Sequence, residues 1–122
     1  MWKTVLKYDR TYIQYRKTLI ILSKHFLKNL ENRFPDITLR RVENAIKRKL
    51  SKNEIPMNKR IFIKLMRQKY EGGKKPQKIR PAFLVVEREK YEGRGLKTKI
   101  TAITIREMHI NSQENKTILE EN

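Results

Sequence analysis

The chain has 122 residues, enough for one modest domain, and its 30 Lys and Arg against 13 Asp and Glu leave a formal charge of +17. That charge costs self-repulsion in the compact state, which a polyanionic partner relieves, so nucleic acid is the expected class of partner. With no cysteine, disulfide frameworks, thiolate catalysis and Cys-ligated metal are excluded; no apolar run approaches the ~18 residues of a membrane span, and MWKTVLKYDR lacks the apolar core of a secretory signal.

Residues 1–10 are too short a window for periodicity to decide between strand and helix. From Thr11 the apolar residues Tyr12, Tyr15, Leu19, Leu22, Phe26 and Leu30 recur every three or four positions, which predicts a long helix from Thr11 to Phe34, stopped by Pro35. Such a helix is roughly 35 Å long at 1.5 Å per residue. That is more than a small domain needs, so its broad apolar face either packs on two sides within one core or offers a seam for a homodimer.

A second helix is expected after Asp36 or Thr38, either of which can cap it, with Leu39, Val42, Ala45, Ile46 and Leu50 on the apolar side. Arg40, Arg41, Lys47 and Arg48 fall on the other side. After the polar connection 51–56, MNKRIFIKLMRQKY predicts a third helix over 57–70, with Asn58 as its N-cap and Gly72 and Gly73 as its stop. Ile61, Phe62, Leu65 and Met66 share one face of it, and Arg60, Lys64 and Arg67 share the opposite face.

KKPQKIRP, residues 74–81, has the composition of a solvated connection. Ala82–Val86 and Leu96–Arg106 are rich in residues that favour strands, and the KYEGRG between them suits a hairpin turn longer than two residues. The alternation slips in the second strand, where Ile100 and Ala102 share one face and Ile103 and Ile105 the other. That strand is either buried on both sides or reset by a bulge near Ala102. The polar, acidic residues 111–122 are expected to form a disordered tail behind a single domain over 1–110.

Charge is concentrated in the middle of the chain, where residues 40–80 carry 15 Lys or Arg and three acids. A long helix, two shorter basic helices and a C-terminal hairpin make an α+β chain whose residues 36–106 resemble a winged helix-turn-helix domain in element order and charge placement. The resemblance implies that the third helix enters the major groove of DNA, the second crosses near the backbone, and the hairpin touches adjacent phosphate. Arg60, Lys64, Arg67 and Gln68, beside Ile63, would then face base edges. Asn58 and Lys59 would lie near phosphate. Arg40, Arg41, Lys47, Arg48, Lys74, Lys75, Lys78 and Arg80 would neutralise backbone charge, and Arg94, Lys97 and Lys99 would form the wing tip.

A second reading is an RNA-binding ribosomal or ribonucleoprotein component, in which Tyr70 and Tyr91 stack on exposed nucleotides. A third is a viral or regulatory module that binds an acidic protein. Catalysis is not expected: His25 and His109 have no acid-base constellation around them, and the motifs for P-loops, zinc proteases and serine hydrolases are absent. A partial match to a nuclease signature fails because Arg88 stands where a carboxylate is required. No metal or cofactor is expected, and the place expected for the chain is the cytoplasm, with the nucleoid or the ribosome.

Overall fold

The computed structural model describes residues 3–5, 10–69, 75, 77–108 and 117–122. In chain order they form β1 (Lys3–Val5), β2 (Arg10–Tyr15), β3 (Thr18–Leu22), α1 (Lys24–Arg33), α2 (Leu39–Ser51), β4 (Arg60–Lys69), β5 (Gln77–Gly93), β6 (Leu96–Arg106) and β7 (Thr117–Glu120). All seven strands belong to one sheet in the order β1-β2-β3-β6-β5-β4-β7. Neighbours run antiparallel except for β3 with β6 and β4 with β7, which are parallel. The chain is α+β, but the helix-rich, winged-helix-like arrangement is overturned: two short helices pack on a mixed sheet.

The expected helix over Thr11–Phe34 is instead a hairpin followed by a ten-residue helix. RTYIQY and TLIIL are dominated by β-branched and aromatic residues, which pack well on a pleated surface. Because Leu19–Leu22 is continuously apolar, helical spacing and strand alternation both fit it, and tertiary packing chooses the strand. Ile13, Ile20 and Leu22 point into the core. The helix begins at Ser23, whose hydroxyl accepts the Phe26 amide at 3.1 Å, and ends at Phe34, ahead of Pro35. The homodimer seam assigned to a Thr11–Phe34 helix therefore has no helix to carry it.

The second helix follows its pattern closely. Thr38 is the N-cap, accepting the Arg41 amide at 3.1 Å, and Val42, Ala45 and Ile46 are buried. The third expected helix is β4. In a ten-residue run, Ile61, Phe62 and Leu65 suit a helix, while Ile61, Ile63 and Leu65 suit a strand; the β-branched and aromatic content favours the strand, and the sheet buries both sides of it. Asn58 is not an N-cap: it lies in the left-handed region (φ 58°) at the entry to β4 and donates its amide to the Arg88 carbonyl at 2.7 Å.

β5 and β6 form the hairpin, but its loop is only Arg94–Gly95, with Lys90, Tyr91 and Glu92 drawn into β5. Both loop residues have positive φ, 50° and 77°, the type I′ arrangement whose twist matches the flanking strands. Residues 77–81, expected to be a solvated connection, are the first part of β5. Pro81 falls where the β4 pairing jumps from Ala82 to Ile79, so its missing amide removes no ladder hydrogen bond. In β6 the pairing jumps from Thr104 to Ala102. The extra residue, Ile103, resets the alternation, so Ile100, Ala102 and Ile105 all reach the main core and Ile103 turns to the other face.

The disordered-tail expectation fails for the last six residues; 109–116 lie outside the described residues. Thr117–Glu120 forms β7 beside β4, with Leu119 packed on the main core and Ile118 on the far face. Arg41 of α2 clamps Glu121 through two 2.8 Å bonds and donates a third to the Met66 carbonyl at 2.6 Å. Those carboxylate bonds raise the Arg41 pKa. Lys49 is only 2% exposed and reaches the Asn122 carbonyl at 3.1 Å and Glu54 at 3.2 Å, so its buried charge is matched.

The core has two parts. Both helices lie on one face of the sheet over inward residues of β2 to β6, and a smaller cluster of Phe62, Phe83 and Val85 lies on the other face, ringed by Ile103, Met108 and Ile118. Among the described residues, no helix is long and apolar enough to cross a membrane.

Candidate nucleic-acid interface

Strand alternation divides the residues that a helix would have put on one basic face. Arg60 and Lys64 share the far face of β4 with Phe62, while Arg67 turns toward the helices. There its guanidinium donates two 3.0 Å bonds to Asp36, approaches Glu107 at 3.5 Å and stacks 4.9 Å from the Phe34 ring centre. At 11% exposure of its side chain, Arg67 is an internal tie between β4 and the α1–α2 connection. The expected groove-facing set of Arg60, Lys64 and Arg67 is not one surface.

The Arg67 bonds hold the Asp36 carboxyl below its ordinary value of 3.8. A depressed folded-state pKa contributes stability that is complete above the unfolded value and is lost as pH falls through the folded one. Wild type should therefore exceed Asp36→Asn in urea midpoint above about pH 4, with the gap closing as pH drops below 3.8. A gap independent of pH between 2 and 5 would contradict the pairing.

Other expected contacts are dispersed or engaged. Arg41 and Arg48 hold the C-terminal segment, Arg48 donating to the Asn122 side chain at 3.0 Å. Arg60 lies 3.7 Å from Glu87, Lys99 lies 3.6 Å from Glu89, and Lys64 is the pairing partner of Glu120. Arg40 is exposed at the start of α2. Gln68, Lys78 and Arg80 are exposed at the far end of the β4–β5 pair, and Lys75 is exposed just before it. Lys74 and Tyr70 lie outside the described residues.

Four of the expected residues do converge. The register places the β2–β3 turn, the β5–β6 turn, the entry to β4 and the end of α2 at one end of the sheet. Lys59 comes from the β4 entry, Arg94 and Lys97 from the hairpin, and Lys47 from α2. Arg16, Lys17 and Lys52 join them, all exposed. The Lys17 carbonyl accepts the amides of Lys97 at 2.8 Å and Thr98 at 3.3 Å, locking the two turns side by side. Below them Thr18 and Thr98 share a 3.0 Å hydroxyl bond, and Arg88 ties Thr98 to the Ile55 carbonyl.

Tyr15 organises the α2 side of this end. Its hydroxyl bonds Ser51 at 2.7 Å, and the charged groups of Arg16 and Lys47 each lie 5.2 Å from its ring centre. The ring therefore orients two cations. The nearby carboxylates are already paired, Glu43 with Lys47 at 3.7 Å and Glu92 with Lys90 at 3.5 Å, while Arg16, Lys17, Lys52, Lys59, Arg94 and Lys97 have no ion-pair partner among the described residues. Tyr15, Arg16, Lys17 and Lys52 escape a reading of the sequence because a helical pattern runs through the first three, and no Gly, Asn or Pro marks the turn.

Chemically, the cations of this end that are unpaired among the described residues can donate charge-assisted hydrogen bonds to anions such as phosphate. Among the described residues no group of three His, Asp or Glu could hold a metal ion. Comparison with protein-family models, curated proteins and solved structures finds no match to this chain.

Proposed function

We propose that the protein is a nucleic-acid-binding protein that holds the phosphate backbone with the basic end of its sheet, and that binding rather than turnover is its role. The observation that carries this reading is the convergence of Arg16, Lys17, Lys52, Lys59, Arg94 and Lys97 from four separate chain segments, while the nearby carboxylates are spent on other bases. A solvated surface needs no such convergence; a polyanion does. Base reading from a helix in the groove is not part of the proposal, because the residues assigned to it lie on two faces of a strand. On this reading the protein works in the cytoplasm, at the nucleoid or another large nucleic acid.

The test is fluorescence anisotropy with labelled polynucleotides across a salt series. Six phosphate contacts predict a slope of log K against log salt near −5, and a loss of about a thousandfold between 50 and 200 mM salt. Absence of binding to any polynucleotide at 50 mM salt, or a slope near zero, would overturn the proposal.

A further inference from the structure

Resting on that reading, we infer that the ligand is a B-form DNA duplex and that the β5–β6 hairpin enters its major groove with Arg94 at the tip, while Arg16 and Lys17 hold the flanking backbone. Three observations carry this. The first is backbone strain. Arg16 and Arg94 occupy the leading positions of two neighbouring turns with φ of 55° and 50°, a region where a side chain costs roughly 1 kcal/mol and where Gly, Asn or Asp is favoured. Strain of this kind persists where the side chain is needed. Arg94 is also exposed and without a hydrogen-bond or ion-pair partner among the described residues.

The second observation is shape. β4 leaves its partner at Glu87 and the β2–β3 turn flanks β6 only as far as Lys97, so the tip from Glu92 to Leu96 stands beyond both neighbours. One or two residues of each strand carry the turn roughly 3–7 Å past the Lys97 bond. The major groove of B-form DNA is about 12 Å wide and admits a two-stranded ribbon. The corresponding groove of A-form RNA is too narrow and deep for side chains to read.

The third is the scarcity of rings open to a base among the described aromatic residues of the sheet's two core clusters and the basic end: Tyr91, half-buried beside Gly93 in the hairpin, is a single ring and not a platform. Phe62 and Phe83 are 5% and 1% exposed, and the Tyr15 ring is engaged by Arg16 and Lys47. Single-strand binders stack unpaired bases on such rings. A ligand with its bases already stacked in a helix suits this surface better.

The experiment measures binding of wild type, Arg94→Gly, Arg16→Gly and Lys78→Ala to a 20-base-pair DNA duplex, one of its strands and the matching RNA duplex, alongside thermal melting of each protein. Wild type should prefer the DNA duplex to the other two. Arg94→Gly should weaken duplex binding at least tenfold and Arg16→Gly severalfold, with melting temperatures equal to or above wild type because glycine relieves the left-handed turn. Lys78→Ala, at the other end of the sheet, should change binding less than twofold. Duplex binding that survives Arg94→Gly as well as Lys78→Ala, or a wild-type preference for single strand or RNA duplex, overturns the inference while leaving nucleic-acid binding standing. Binding to none of the three by wild type overturns both.

Discussion

Replacing Ile63 with alanine should lower folding stability by about 3 kcal/mol, measured as a shift of the urea midpoint at unchanged slope. Ile63 is fully buried, on the side of β4 that faces the helices with Ile61 and Leu65. Truncating it removes three carbons from a close-packed site and leaves a cavity between sheet and helices, a change that costs 2–5 kcal/mol in comparable cores (~3 for a partly relaxing site). The same residue on a helix over 57–70 would stand beside the basic face, where substitution is worth about half a kcal/mol. A loss below ~1 kcal/mol would contradict the strand.

Arg67→Ala should also destabilise, by about 2 kcal/mol, and should leave nucleic-acid affinity within twofold of wild type under conditions where the variant is folded. The guanidinium is largely enclosed, so its removal strips Asp36 and Glu107 of a shared partner and uncovers the Phe34 ring. Breaking a fully buried pair costs 3–5 kcal/mol, and the smaller figure of about 2 reflects the solvent that reaches both carboxylates. In a groove-facing role the outcome would reverse, with stability kept and binding lost. The two measurements together thus separate a structural arginine from a contact residue.

How much of this was legible in the sequence depended on element length. The thirteen residues of α2 span more than three turns, long enough for the 3.6-residue period to exclude any other pattern, and Thr38 supplies its cap. The slip in β6 was legible, since Ile100 and Ala102 alternate with Ile103 and Ile105, but burial on both sides fits it as well as a bulge does; the pairing jump from Thr104 to Ala102 is what puts Ile105 with Ile100 and Ala102. β2, β3 and β4 are five to ten residues long, and Leu19–Leu22 and Ile61–Ile63 are apolar without interruption. In such short runs both periods fit, and the choice lies in partners far along the chain: Ile20 opposes Ile100, and Ile63 opposes Leu84. Of the expected contact residues, Lys59, Arg94 and Lys97 meet at one end because they sit in or beside connections, which strand register brings together, and Lys47 joins them from the last turns of α2 over the Tyr15 ring. Arg41 and Arg67 were unreadable as internal residues, since nothing local announces that Glu121 or Asp36 will come to meet them.

The parallel pairs at β3–β6 and β4–β7 impose an order in time. Thr18 must wait for Thr98, and the outer edge of β4 must wait for the strand that begins at Thr117. At synthesis rates of 5–20 residues per second, the 48 residues from Lys69 to Thr117 leave that edge open for roughly 2–10 s on the ribosome. During that interval a hydrophobic strand with unpaired amides is a template for neighbouring nascent chains. The charge proposed to draw the folded protein to a polyanion also keeps its half-made copies apart.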